Sequence, residues 1–126
     1  MREGKKEGKL ESRAILVGAG EDRQMTELGR LSETLGLEVV GFLEQGRRDG
    51  VGYLGRGKRE ELGRLVQELR AGVVVTDDEL SPSQARVLEK ATGAPLIVDR
   101  TLLIIRIFEA HAKDAASRLE QRHRLA

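Results

Sequence analysis

Apolar residues fall into four short runs, and each run is followed by a stretch in which they recur every three or four positions. Ala14-Ile15-Leu16-Val17 is the first run; it breaks at Gly18-Ala19-Gly20 and reads as a buried strand. Met25, Leu28, Leu31 and Leu35 follow at helical spacing and stop at Gly36, which suits a position just past a helix end. Residues 38–43 form a second strand, and a loop rich in glycine and arginine runs from Gln45 to about Gly57. A second helix is expected from about Lys58 to Arg70, with Leu62, Leu65, Val66 and Leu69 on one face and Gly72 ending it. Val73-Val74-Val75-Thr76 is a third strand, rich in β-branched residues. Ser81-Pro82-Ser83-Gln84 opens a third helix: Ser81 caps, Pro82 fits the first turn and Gln84 reaches back. That helix carries Ala85, Leu88 and Ala91 and ends at Gly93. Leu96-Ile97-Val98 is a fourth strand, closed by Asp99-Arg100, and Thr101 is placed to cap a last, longer helix.

Strand and helix thus alternate four times. Continuously apolar strands alternating with helices indicate a parallel sheet covered on both faces. Right-handed crossovers leave few topologies. The expected fold is α/β: a four-stranded parallel sheet flanked by helices, in the flavodoxin-like order 2-1-3-4, with a longer C-terminal helix. Ligands of such sheets bind beyond the carboxyl ends of the strands. Here that edge is made of residues 18–20, the 45–57 loop, Asp77, Asp78 and Glu79, and Asp99 to Thr101.

Composition narrows the function. The chain has 126 residues, one domain's worth, and such a chain buries roughly two-thirds of its unfolded surface. Aromatics are 2%, which argues against a single-stranded nucleic-acid platform built on stacking. The formal charge is +1, so no global field draws the chain to nucleic acid or an anionic membrane. There is no cysteine, and no apolar run is long enough to span a bilayer. Residues 1–13 are charged and read as a disordered tail, 14–112 as the α/β domain, and 113–126 as a charged helical extension. A cytoplasmic protein without membrane contact is the expectation.

Residues 52–58 fit G-x-x-x-x-G-K, the spacing of a phosphate loop. The next position of that motif needs a Ser or Thr hydroxyl for Mg²⁺, and Arg59 stands there. The segment opens a helix, so Gly55, Arg56, Gly57, Lys58 and Arg59 are candidates for holding a nucleotide or RNA phosphate. A structural or docking loop is the first reading. Gly18-Ala19-Gly20 begins a dinucleotide fingerprint but meets Arg23 where a third glycine is required, so a tight turn is favoured. Asp77, Asp78, Glu79 and Asp99 are crevice-edge carboxylates able to hold Mg²⁺, or simply to suit nearby helix dipoles. No metal site is assigned. His111 and His123 are twelve apart, not the spacing of a helical zinc pair. Arg47, Arg48, Arg56, Lys58, Arg59 and Arg64 form a basic concentration, and Arg118, Arg122 and Arg124 form another. A solvated surface is the plain reading of both; at the loop patch, beside the crevice-edge glycines, RNA contact weighs equally with it. The last helix is apolar on nearly every face from residue 102 to 108 and must be covered by this sheet or by another chain, a possible homodimer.

Three segments resemble one family. Tyr53-Leu54-Gly55-Arg56-Gly57-Lys58-Arg59-Glu60-Glu61-Leu62 is similar to its Y-[LI]-G-x-G-K-x-E-E-[LI] segment. Asp77-Asp78-Glu79-Leu80-Ser81-Pro82-Ser83-Gln84 resembles D-[DN]-E-L-[ST]-P-x-Q. Asp99-Arg100-Thr101, with Leu103-Ile104-Ile105 and Ile107-Phe108, resembles D-R-T-x-L-I-L-x-I-F. The family is the HflX-type ribosome-associated GTPases, and the match is to their N-terminal domain, over about residues 14–112.

The resemblance implies docking on the large (50S) ribosomal subunit and its rRNA, with a role in stress response or ribosome rescue. Some members bind ATP through this region, which by position points to Gly55, Gly57 and Lys58, with Asp77, Asp78 and Glu79 across the crevice. ATP or GTP with Mg is the alternative ligand, with weak or no hydrolysis. Arg106 replaces the family's usual Asp, and 118–123 keep little of its helical hairpin. Walker A, Walker B and N-K-x-D motifs are missing, so GTP hydrolysis is not expected of these residues. The chain reads as a truncated paralogue, the first part of a split gene or an excised fragment; its diverging end favours a natural stand-alone relative, and a separately encoded G domain is a candidate partner.

Overall fold

The computed structural model describes residues 12–94 and 96–125, with side chains described as far as Glu120. The charged segment 1–11 and the side chains of Arg122, His123 and Arg124 lie outside the described residues. Eight elements alternate: β1 (Arg13–Ala19), α1 (Met25–Thr34), β2 (Glu38–Gln45), α2 (Arg56–Leu69), β3 (Val73–Thr76), α3 (Pro82–Thr92), β4 (Leu96–Asp99) and α4 (Arg100–Leu125). The strands pair in parallel in the order β2-β1-β3-β4, as the sequence predicts.

The central strands explain their own composition. Side chains of a strand alternate between faces. Ile15, Val17 and Val74 point to one side and pack with Leu62 and Val66 of α2 and Leu88 of α3. Ala14, Leu16, Val73 and Val75 point to the other and pack with Leu28 of α1 and Leu103 of α4. Both faces are buried, so these strands need unbroken apolar runs. β2 carries one extra residue: Ala14 pairs with Val39 and Ile15 with Gly41, leaving Val40 as a bulge.

Several element ends differ from the sequence expectation: β1 begins at Arg13, within the segment expected to be a disordered tail, and β2 runs on to Gln45 instead of ending at residue 43. β1 continues through Ala19, so Gly20 alone turns, at φ +95°. α2 starts at Arg56 instead of Lys58 and stops before Gly72, because Arg70 takes the left-handed conformation (φ 54°). Gly72 already belongs to the sheet's entry, donating to the Arg13 carbonyl at 2.9 Å. α4 begins at Arg100, and its cap is Asp99, whose Oδ1 accepts from the Leu102 amide at 2.9 Å, rather than Thr101. The predicted capping box at Ser81 and Gln84 is present.

The apolar start of α4 is covered on one stripe only. Leu103 is fully buried, and Leu102 and Ile107 pack beside it on the sheet. A helix advances 100° per residue, so the same contact turns Ile105 and Phe108 outward, and Phe108 is 69% exposed. Ile105 and Phe108 are thus the most open part of the surface expected to join two copies. Every described side chain beyond Phe108 is exposed.

Gly63 sets how closely α2 approaches α3. A Cβ there would meet the Ala91 carbonyl oxygen at 2.7 Å, whereas one at Gly57 would meet nothing within 4 Å. Gly63→Ala is therefore expected to destabilise the protein by about 1–3 kcal/mol, despite alanine's better helix propensity. Gly57→Ala is expected to be neutral or stabilising. Urea unfolding of both variants checks this, and equal stabilities would refute it.

Candidate functional site at the carboxyl edge of the sheet

The connection from β2 to α2 is built on three side chains. Gln45 comes first: its carbonyl accepts from Gly20 N–H at 3.0 Å, its Oε1 accepts from Gly55 N–H at 3.0 Å, and its Nε2 donates to the Arg47 carbonyl. Asp49 follows, with Oδ1 accepting from the amides of Val51 (2.8 Å) and Gly52 (3.2 Å). Those two amides hold its carboxyl below the usual carboxylate range. Asp49 and Tyr53 also exchange two backbone hydrogen bonds of 2.9 Å. The loop is pinched at its neck, and Tyr53 pays with a positive φ of 70°.

That backbone delivers the phenol of Tyr53 to the sheet. Its hydroxyl accepts from Ala19 N–H at 3.1 Å and donates to Asp78 Oδ2 at 2.8 Å. The ring is almost wholly buried. Burial, then the bond and charge of Asp78, push its pKa above the ordinary tyrosine value.

Segment 52–59 is therefore a braced turn. Arg59, where a phosphate loop needs a hydroxyl, donates to the Leu54 carbonyl at 2.6 Å. Its guanidinium lies over Gly52, where a Cβ would come within 2.3 Å of Nη1. α2 then opens at Gly55 without a side-chain cap. The amides of Arg56, Gly57 and Lys58 have no partner among the described residues, as the first turn of a helix dictates.

The crevice carboxylates are already engaged. Asp77 is buried; its Oδ2 accepts from Gln24 N–H at 2.9 Å and its Oδ1 pairs with Arg100. Arg100 also donates to the Asp77 carbonyl at 3.0 Å and reaches Glu27 at 3.3 Å. Asp78 receives Arg48 through two contacts, 3.0 and 3.1 Å, besides Tyr53. Arg48 extends to Asp22 at 2.6 Å, and that bond lowers the Asp22 carboxyl. Its guanidinium covers Gly20, where a Cβ would meet Nη1 at 2.6 Å. Asp99 spends both oxygens on backbone amides, those of Leu80 (3.0 Å) and Leu102. Glu79 is exposed and unpartnered among the described residues. Mg²⁺ would have to displace Arg48 or Arg100 to reach Asp78 or Asp77. Among the described residues no three or more acidic or histidine side chains group to hold a metal.

Sequence reasoning grouped the glycines, Lys58 and the carboxylates, and the fold does bring Asp77 and Asp78 to one edge. It missed the connectors: Tyr53, Gln45, Arg48 and Arg100. One signal was available. Tyr53 is the only tyrosine, and a buried tyrosine hydroxyl requires a partner.

Tyr53→Phe leaves the Ala19 amide buried and unsatisfied and removes one of the two bonds to Asp78 Oδ2, which keeps only Arg48. The expected cost is about 1–3 kcal/mol at neutral pH. The pH dependence has a definite sign. The folded pKa of Tyr53 is raised above the unfolded value near 10, so its contribution is full below about pH 10 and is lost as pH rises through the folded pKa. The wild type is expected to lose stability above pH 10 more steeply than Tyr53→Phe. Denaturant unfolding at pH 7 and at stepped alkaline pH measures both, and parallel profiles would refute the assignment.

Residues 22–109 match the family model described as GTP-binding GTPase N-terminal. The GTPase HflX of Caldanaerobacter subterraneus subsp. tengcongensis is 40% identical over 110 residues, covering 85% of this chain and 25% of that protein. The GTPase HflX of Thermofilum pendens is 39% identical over 109 residues, covering 85% and 26%. The chain thus spans about a quarter of the length of these relatives. Among solved structures, SsGBP in complex with GDP superposes with a TM-score of 0.63 at 13% identity, over 79% of this chain and 29% of that one. A GTP-binding protein from Sulfolobus solfataricus in complex with GDP gives 0.59 at 11% identity, over 76% and 30%. At such identities the likeness is one of fold. The family model spans α1 through β4 and the start of α4, the HflX relatives each cover 85% of the chain, and the chain belongs to the HflX family of GTPases, matching their N-terminal domain.

Proposed function

We propose that this domain docks on the large ribosomal subunit through phosphates of rRNA, as the N-terminal part of an HflX-type system for stress response or ribosome rescue. The observation that supports it is the placement of charge. Residues 46–70 hold seven basic and four acidic side chains. Arg47, Arg56 and Lys58 stand at the start of α2 or near it, Arg64 lies two turns further along, and the Arg56 side chain is 86% exposed. Their acidic partners are Glu60 for Arg56 (3.5 Å) and Glu61 for Lys58 (3.6 Å). Such surface pairs are weak and screened by salt, so phosphate competes well for the cations. The free amides of Arg56, Gly57 and Lys58 add the positive end of a helix dipole. Arg59 is better read as a brace than as a phosphate ligand, since Leu54 already holds it.

In this reading residues 14–112 form the docking unit, 113–125 carry α4 away from it, and the protein works in the cytoplasm. GTP hydrolysis belongs to a G domain outside these residues. Replacing Arg47, Arg56 and Lys58 by Glu is expected to abolish co-sedimentation with purified large subunits. Wild-type binding is expected to weaken steeply between about 50 and 200 mM salt. Undiminished, salt-insensitive binding by the triple variant would sink the proposal.

The free amides of α2 also favour a second reading, ATP or GTP bound with Mg²⁺. The engaged state of Asp77, Asp78 and Asp99 weighs against it. A nucleotide at 100-fold its Kd adds about 2.7 kcal/mol of stability. We expect no shift in the unfolding midpoint with millimolar Mg-ATP or Mg-GTP, and a clear shift would favour the nucleotide.

A further inference from the structure

α1 and β2 carry the opposite charge from the start of α2. Residues 21–45 hold six carboxylates and two arginines. β2 is an edge strand of eight residues, against four for β4 at the other edge. Among the described residues no strand lies on its outer side. Such an edge offers a row of backbone donors and acceptors to another strand. Exposed Glu38 and Glu44 guard it in the usual way, but Phe42 between them does not: its ring is 56% exposed. With Met25 and Gly29 of α1, Phe42 floors a groove of about 490 Å³ beside the strand. Arg30, Glu33 and Glu44 form the groove's rim. Arg23 partly neutralises Glu44 at 2.6 Å, while Glu33 has no partner among the described residues.

We infer that the β2 edge receives an extended, basic segment of a protein partner as a fifth strand. An apolar side chain would cover Phe42, and basic side chains on alternate positions would face Glu33 and Glu44. This is strand addition, in which backbone bonds give affinity and alternate side chains give specificity. Charge selects the occupant. RNA is repelled by the carboxylates. A second copy pairing β2 against β2 would set the same acidic surface, six carboxylates to two arginines over residues 21–45, against itself. A basic strand satisfies both the edge and the rim.

The test uses the full chain, isotope-labelled, and the peptide acetyl-Thr-Lys-Val-Leu-Val-Lys-Thr-amide. Saturable shifts are expected in the backbone amide signals of residues 38–45 and of Gly29. Phe42→Ser and Glu33→Lys are each expected to weaken binding by about tenfold. Both residues are exposed, so unchanged signals elsewhere will show that the variants fold. A peptide with Glu in place of Lys should not bind. No shift within 38–45, or an unchanged affinity in Phe42→Ser, overturns the proposal. So does the same pattern on concentrating the protein alone, which means a second copy, or on adding single-stranded RNA.

Discussion

The hydroxyl of Tyr53 joins three stretches of chain that are otherwise held apart. It takes the amide proton at the end of β1 and gives its own to a carboxylate just past β3, from a loop that starts at β2. The bond from Ala19 is buried and the one to Asp78 partly so, and a buried bond left unmade is costly. The positive φ of Tyr53 follows from this demand, since an extended residue there would send the ring elsewhere. Asp78 in turn accepts Arg48, and Arg48 closes over Gly20. The carboxyl edge of the sheet is thus a chain of mutual dependence with the phenol at its centre.

Much of the fold is legible in local pattern. Val73-Val74-Val75-Thr76 states β3 almost by itself, and Ser81-Pro82-Ser83-Gln84 states the start of α3, because the capping box is a contact between near neighbours. Strand order followed from handedness and short connections. What stayed hidden depends on distance or on competition. Arg48 and Asp78 are thirty positions apart, and no spacing rule links them. Arg70 adopts a left-handed cap although a glycine stands two residues on, because Gly72 is needed where the chain enters β3. Thr101 lost the cap of α4 to Asp99, which the end of β4 already aims at the helix.

The same competition decides the reading of the acidic cluster. Three aspartates near strand ends resemble a cation site as long as their partners are unseen. In the fold, one caps α4, one pairs with Arg100 of α4 and accepts the Gln24 amide at the start of α1, and one holds Arg48 and Tyr53. Their negative charge is consumed internally. The unspent charge lies elsewhere: positive at the start of α2, negative along α1 and β2. A chain with a formal charge of +1 can therefore present two surfaces of opposite preference, which the total conceals.

The phosphate-loop spacing fails for a structural reason that goes beyond one wrong residue. In a phosphate loop both glycines let the backbone wrap an anion. Here Gly52 lacks a side chain because the Arg59 guanidinium occupies that space, and Gly57 faces open solvent within α2. Arg59 spans the turn and fastens Leu54, whose buried side chain belongs to the core. A Ser or Thr at 59, which would complete the motif on paper, would remove this brace and leave Gly52 beside a void. The residue that breaks the phosphate motif is the one that makes the loop rigid, and a rigid loop is what fixes the exposed cations at the start of α2.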